Sequence, residues 1–574
     1  MALSLFSRPI VGERSWSWLV DGLVFLIVAA GVYGVLNVAH YWFGAAFPAT
    51  EISQSPRALP RYAFYSLVRI GVAYVLSLVF AIGYGYIAAH QPKLQNIMIA
   101  ALDILQSIPV LSFLPGVMLA MVAVIPSRQL GVELGSIILI FTGQVWNIAF
   151  SFYSSLKSIP RELQEAAAIY GFSPWQKFIE LELPSGVIGL VWNSIVSVAG
   201  GWFFLMACEM FVLGKRDFRL PGLGSYLQTA ASAGNTTAIL WGLGAMITVI
   251  VLVDQLVWRP AIAWSDRFKF EQTERANVPY SPILHLFRHS SAFRWLSKRA
   301  FTPAWERLTS GAVLPKRPES RKPSRVTPVL ARAAAAVAIL LALYALFDAA
   351  KVLSGITAEE LISTCKAAGA TFVRVVFALA IASLWTIPAG VAIGFHPKLA
   401  RIAQPVAQVV ASVPATALFP IVLLGLVRLG GSLNVAAVAL MLLGTMWYIL
   451  FNVIAGATAI PTELREAAAV FRFRNLQQWR TLILPGIFPY LVTGLITASG
   501  GAWNASIVAE YFHFRGQTLT TLGLGAQISS ATDTGNFDLL LVSTLVMALL
   551  VVCINRLVWR PLYHLAETRF RLET

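Results

Sequence analysis

Glu165-Ala166-Ala167-Ala168-Ile169-Tyr170-Gly171, running on to Leu183-Pro184, returns in the same chain as Glu466-Ala467-Ala468-Ala469-Val470-Phe471-Arg472, running on to Leu484-Pro485. Each copy follows an Ile-Pro, Ile159-Pro160 and Ile460-Pro461, and each lies between long apolar runs. The match extends outward. Upstream the offset is 305, relating Ser66-x-x-Arg69 to Thr371-x-x-Arg374, Pro92 to Pro397, and Pro109 and Pro115 to Pro414 and Pro420. Downstream it is 301, relating Trp146 to Trp447, Trp202 to Trp503, Glu209 to Glu510, Gly222-Leu-Gly224 to Gly523-Leu-Gly525, and Val257-Trp-Arg-Pro260 to Val558-Trp-Arg-Pro561. A loss of four residues between Pro420 and Trp447 explains the step. So many matches in one register mean two copies of one structural unit.

The unit is a membrane one. Of 574 residues, 57% are hydrophobic and 12% charged, with a mean hydropathy of +0.71; a soluble domain carries roughly twice that charge. Apolar runs of about twenty residues recur, each long enough to cross a bilayer as a helix. They are continuous rather than alternating, which excludes a β-barrel. The predicted fold is therefore an all-α membrane protein of about twelve transmembrane helices, in two parallel six-helix repeats. Spans are expected at 18–44, 66–90, 96–126, 134–156, 186–212 and 236–262, then at 328–352, 371–395, 401–428, 433–456, 487–512 and 537–562. That gives a first repeat over 1–264, a linker over 265–327 and a second repeat over 328–574. The first apolar run, from Trp18, is long, and Met1 to Trp18 hold no apolar h-region with a small-residue cleavage site, so it reads as a retained helix rather than a signal peptide.

The linker carries thirteen Lys/Arg against five acids between Ser265 and Val326, which places it in the cytoplasm, with both termini and both Glu-Ala-Ala loops. Lys215, Arg216 and Arg219 oppose this orientation but are fewer. Ile283, Leu284, Phe287, Phe293, Trp295 and Leu296 are interleaved with Arg288, Arg294, Lys298 and Arg299, a pattern suited to lying on membrane lipid or to facing a partner as a strap. The net charge of +16 belongs to such basic loops, so no nucleic-acid partner is inferred. Cys208, Cys365 and Cys553 have unrelated spacings, which gives neither a disulfide framework nor a metal site.

The repeated loop is polar and helical. Pro160 suits a first helical turn, Glu162 and Glu165 sit near its positive end, and Ala166 to Ala168 form helix with little bulk. Gly171 permits a left-handed turn that closes the helix. Ser173-Pro174-Trp175-Gln176 reads as an N-cap, a proline at N1 and a capping-box Gln. The expectation is two short helices with a bend, offering a small Ala face to another protein. Arg472 replaces Gly171 in the second copy; a left-handed conformation is strained for Arg, so a different bend is expected there.

Glu-Ala-Ala, then Gly, then Leu-Pro resembles the coupling loop of ATP-binding-cassette importer permeases. The Gly-Leu-Gly and Ser-x-x-Arg motifs look most like the nitrate/taurine (sulfonate, bicarbonate) branch, in a duplicated, fused form. The resemblance covers both halves and nearly the whole chain except the linker. It implies a permease subunit in a bacterial cytoplasmic membrane, taking up a small anion with two ATPase subunits. Their docking residues would be Glu165, Ala166, Ala167, Gly171, Glu466, Ala467, Ala468 and Arg472. An external substrate-binding protein is usual in such systems. The chain holds no Gly-x-x-x-x-Gly-Lys-Ser/Thr motif, since Gly214-Lys215-Arg216 lacks both the first Gly and the hydroxyl residue. It is expected to be no enzyme itself and to need no cofactor.

Ionisable residues inside spans call for partners. Arg69 and Arg374 near one end of the second spans, and Glu209 and Glu510 near the same end of the fifth, are expected to form buried pairs, Arg69–Glu209 and Arg374–Glu510. The alternative is that these arginines meet an anionic substrate. Pro109 and Pro414 should kink the third spans, either lining a cavity or as packing kinks, with Ser107 and Ser412 candidates for the passage. Trp202 and Trp503, after Gly200-Gly201 and Gly500-Gly501, read as gates or as packing. A competing reading is a secondary transporter with two parallel six-helix halves. Its ion-coupling acids are few, with Asp103 matched by Gln408 and Asp254 by Asn555.

Overall fold

The computed structural model describes residues 51–268 and 357–569, except positions 126, 214–215, 429, 431, 474 and 515–516. The expected spans at 18–44 and 328–352 and nearly all of the linker, Trp295 included, lie outside the described residues. Among the described residues, eight helices are long and apolar enough to cross a membrane, or nine if a bent pair counts as one.

The first half runs α1 (Leu59–His90), α2 (Pro92–Ser107), α3 (Leu114–Val124), α4 (Arg128–Lys157), α5 (Arg161–Ile169), α6 (Pro174–Lys177) and α7 (Leu183–Glu209). A small hairpin follows, β1 (Val212–Leu213) with β2 (Arg216–Asp217), then α8 (Leu223–Ser232), α9 (Thr236–Val253) and α10 (Arg259–Ser265). The second half repeats this order as α11 (Ala358–Phe395), α12 (Pro397–Ser412), α13 (Ala415–Arg428), α14 (Leu433–Ala459), α15 (Thr462–Val470), α16 (Asn475–Gln478) and α17 (Leu484–Ala509). It closes with β3 (Tyr511–Phe514), β4 (Gln517–Thr520), α18 (Leu524–Thr534), α19 (Phe537–Ile554) and α20 (Arg560–Arg569).

Within each half the fourth span is sandwiched, α4 between α1 and α7, and α14 between α11 and α17. Contacts at both ends fix the directions. Arg69 of α1 meets Glu133 of α4 at one end, and Lys157 Nζ donates to Ala89 O at the other, 3.0 Å. So α1 and α4 are parallel, and α7, whose Glu209 reaches Arg69 and whose preceding turn brings Glu182 to His90, is antiparallel to both. The α2–α3 pair must therefore carry the chain from one end back to the other. One apolar core includes residues of both halves.

The third span is broken rather than kinked, which corrects the sequence expectation. Ile108 and Val413 precede proline, which disfavours the helical region there. Both are extended, with φ −75° and ψ of 128° and 118°. After Pro109 a 3-10 turn, Val110–Phe113, leads into α3. In the second half the axes on either side of the break differ by 87°.

Four membrane helices share a second regularity. Wide π-type turns at Phe178–Glu182, Asp254–Trp258, Trp479–Ile483 and Asn555–Trp559 each stand just ahead of a proline, at Pro184, Pro260, Pro485 and Pro561. A proline ring collides with the carbonyl four residues back, and that carbonyl lies within the widened turn each time. The helix thus absorbs the proline and continues. This also corrects the loop. Only α5 and α15 are separate short helices; α6 runs through its π turn straight into α7, one helix from Pro174 to Glu209.

Candidate functional site

The repeated motifs converge on one cluster per half. Arg69 is fully buried; its Nε and Nη2 donate to the two Glu133 carboxylate oxygens at 2.6 and 2.8 Å, and its Nη1 donates to Glu209 Oε1 at 2.7 Å and to Pro221 O at 2.9 Å. Ser66 Oγ donates to Glu209 Oε1 at 2.6 Å and accepts from the Leu223 amide at 3.0 Å. The other carboxylate oxygen accepts from the Gly224 amide at 2.7 Å. Glu209 therefore sits on the N-terminus of α8, where free amides and the helix dipole stabilise negative charge.

The second half is built alike. Arg374 Nη1 donates to Glu510 Oε1 at 2.6 Å, Thr371 Oγ1 donates to the same oxygen at 2.9 Å and accepts from the Leu524 amide at 2.9 Å, and the Gly525 amide donates to Glu510 Oε2 at 2.9 Å. Where Glu133 stands in the first half, the second has Asn434, whose Oδ1 accepts from Arg374 Nη2 at 2.7 Å and from Thr521 Oγ1. The Gly-Leu-Gly motif now has a cause. A Cβ on Gly222 or Gly523 would fall well inside 3.0 Å of the carboxylate oxygens of Glu209 or Glu510. With its N–H groups spent on carboxylates and a carbonyl, Arg69 has little left for an anion, so the arrangement favours structure over substrate.

At the opposite end lie the loops. The capping box forms, with the Gln176 amide donating to Ser173 Oγ at 3.2 Å and the Ser173 amide to Gln176 Oε1 at 2.9 Å. Pro160 caps α5 rather than starting it. Glu165 and Glu466 are exposed, but Ala167 and Ala468 are buried in their own chain, with Ala166 and Ala467 half-buried. Ala168 is exposed, but the main outward face is not the Ala166–Ala167 pair. It is Ile169 and Tyr170, 84% and 79% exposed, and Val470 and Phe471, 78% and 72% exposed.

The bend at Arg472 also corrects the sequence expectation. Its φ is +54°, close to the +67° of Gly171. Both helices close with the same bonds, Tyr170 N to Ala166 O and Phe172 N to Ala167 O in one, Phe471 N to Ala467 O and Phe473 N to Ala468 O in the other. These bonds and the common anchoring of the loop impose the left-handed residue, and Arg472 accepts a cost of about 1 kcal/mol. The clasps differ instead. Glu182, nearly buried, binds His90 Nε2 at 3.0 Å and Lys177 Nζ at 3.4 Å. In the second half Ile483 and Gln478 take those positions, and Arg465 lies over the Phe395 ring at 4.5 Å and donates to Phe395 O at 3.3 Å.

The expected passage residues lie where the halves meet. The turn after Pro109 packs on α17 of the other half, with Leu111 N donating to Asn504 Oδ1 at 3.4 Å, and Thr544 Oγ1 donates to Ser112 O at 3.1 Å. The segment around Pro414, itself buried, packs on α7 in turn. Ser107 ends α2, its side chain outside the described residues; Ser412 turns back to Gln408 O at 2.7 Å. Trp202 and Trp503 are buried in the shared core.

Reasoning from sequence missed Glu133. The fourth span expected from 134 begins one residue too late and leaves that acid in a loop. A lone acid entering an apolar run was the available signal.

The chain matches the family described as binding-protein-dependent transport system inner membrane component twice, over residues 81–258 and 386–565. It is similar to the nitrate import permease protein of Leptolyngbya laminosa, 26% identical over 189 residues, 33% of this chain and 64% of that protein. It is similar also to the bicarbonate transport system permease protein of Synechococcus elongatus, 29% identical over 141 residues, 25% of this chain and 49% of that one. With the taurine transport system permease protein of Escherichia coli it shares 27% identity over 182 residues, 32% of this chain and 62% of that one. The chain spans about half to two thirds of the length of these curated relatives.

Proposed function

The chain belongs to the family of binding-protein-dependent transport system inner membrane components, and on that premise we propose that it is the permease of an ATP-driven importer for a small anion of the nitrate, sulfonate or bicarbonate type. One chain supplies both halves of the pathway, in a bacterial cytoplasmic membrane, with the linker and both termini inside. Two ATPase subunits dock on the loops around Glu165–Gly171 and Glu466–Arg472, and an external binding protein delivers the anion.

The observation that carries this reading is the matched pair of exposed apolar tips, Ile169-Tyr170 and Val470-Phe471, on short helices at the end opposite the Arg–Glu clusters. Large apolar side chains left outside a chain, twice in the same register, suit contact with a protein partner. The chain has no phosphate-binding loop, so ATP hydrolysis falls to that partner. Docking at α5 and α15 would be passed to the spans through α6 and α16, each continuous with a membrane helix.

The test is to purify the chain with whatever ATPase accompanies it, reconstitute it in vesicles, and measure uptake of labelled nitrate, taurine and bicarbonate. Uptake that needs ATP on the loop side supports the reading. Uptake driven by an ion gradient with no ATPase present would overturn it in favour of a secondary transporter.

A further inference from the structure

Tyr448 of the second half stands between two equivalent glycines. Its hydroxyl lies 3.5 Å from where a Cβ would sit on Gly200 of α7, and its ring carbon Cε2 lies 3.5 Å from the same point on Gly501 of α17. Gly200 and Gly501 correspond under the 301-residue repeat. A ring between them stands beside the axis that relates the halves. Gly200 is nine residues from Glu209, roughly 14 Å of helix inward from the buried ion cluster. The phenol thus reaches the seam between the halves near the middle of the span.

Only one half supplies such a group. The counterpart of Tyr448 is Asn147, whose Oδ1 is taken by Gln106 Nε2 at 3.0 Å within its own half. The Tyr448 hydroxyl has no hydrogen-bond partner among the described residues, though the side chain is partly buried. A phenol held at the seam without one has a donor to offer whatever passes between α7 and α17.

We propose that Tyr448 is a substrate-contacting residue of the pathway, its hydroxyl donating one hydrogen bond to an oxyanion crossing between the halves. This rests on the reading of the chain as an anion importer. The small residues Gly200 and Gly501 keep the ring at the seam, and the asymmetry makes the contact single. A single neutral donor suits a carrier, since it orients an anion without holding it as tightly as a guanidinium would.

The experiment is uptake kinetics of the complete transporter in vesicles, with labelled nitrate, bicarbonate and taurine. Tyr448→Phe keeps the ring and removes only the hydroxyl. The expected result is a KM raised about tenfold for the transported anion, the size of one lost hydrogen bond, with the maximal rate and protein yield retained. Asn147→Ala, whose amide already has a partner, should leave KM within about twofold. An unchanged KM in Tyr448→Phe would overturn the proposal. A fall confined to yield or maximal rate would overturn it too, since it marks the ring as packing. Equal KM changes in both variants would remove the asymmetry and the inference with it. Wild-type protein that moves none of the three anions would refute the functional reading itself, and this inference along with it.

Discussion

Gly222 stands where the carboxylate of Glu209 has to pass, and any Cβ at that position would overlap both carboxylate oxygens. The same holds for Gly523 and Glu510. Gly222→Ala or Gly523→Ala should push the carboxylate off its helix N-terminus and its arginine. Breaking a buried pair in this way costs about 3–5 kcal/mol. The yield of monodisperse protein on size exclusion should drop several-fold for either variant, and wild-type yield would show that the glycine is dispensable.

The two halves should answer differently to charge deletion. In the second half Asn434 is neutral, so Arg374→Leu or Glu510→Leu alone strands a charge, while the double variant strands none and should recover. In the first half Arg69→Leu with Glu209→Leu still leaves Glu133 buried and charged without its cation. That double variant should remain poorly folded until Glu133→Gln is added. Recovery of the first-half double variant to wild-type yield would contradict the pairing.

Docking should be sensitive to the exposed tips and to Glu165 and Glu466. Glu165→Arg combined with Glu466→Arg, or Tyr170→Asp combined with Phe471→Asp, should leave folding intact, because all four positions are exposed. Both combinations should abolish ATP-dependent uptake and co-purification of the ATPase. Wild-type uptake by the Glu double variant would end this assignment.

The hairpin β3–β4 carries a titratable tie. His513 Nε2 lies 2.9 Å from Asp533 Oδ2, and Tyr511 Oη donates to the same oxygen at 2.7 Å. The Asp533 carboxylate holds the His513 imidazole above the usual histidine range, and burial, with Asp533 adding to it, pushes the Tyr511 phenol up as well. A raised folded-state pKa gives stability that is full at low pH and is lost as pH climbs through that raised value. The thermal midpoint of the wild type should therefore exceed that of Asp533→Asn by more in mildly acid than in mildly alkaline buffer. A gap that widens with rising pH would show the sign to be wrong.

Arg472 offers a local check on backbone strain. Arg472→Gly should relieve about 1 kcal/mol, and Gly171→Arg should add as much. Amide exchange at Phe473, whose N–H closes the helix on Ala468 O, should slow in the first variant. Exchange at Phe172 should quicken in the second.

The repeat, the helical class and the ends of the Arg–Glu pairs were legible because each rests on residue type at a fixed spacing. The rest depended on three-dimensional approach. Nothing in Gly222-Leu-Gly224 announces a carboxylate arriving from fifteen residues before Gly224. Glu133 was hidden because its repeat partner is Asn434, so comparing the halves returned no shared acid. The left-handed Arg472 went against residue preference because the loop closure, common to both copies, decides the backbone and the side chain follows. At the prolines 184, 260, 485 and 561 a widened turn lets each helix continue, and that tolerance belongs to backbone geometry.

The ion clusters decide which seam of the molecule can open. Separating α7 from α1 and α4 means parting Glu209 from Arg69 in a low-dielectric interior, several kcal/mol against the motion. Among the described residues, separating the halves at mid-depth asks for apolar sliding and for breaking neutral contacts such as Leu111 to Asn504 and Thr544 to Ser112. Each half is thus riveted at one rim and would hinge as a single jaw. A stroke delivered at the loops would be spent on parting the jaws, with little lost to bending either one.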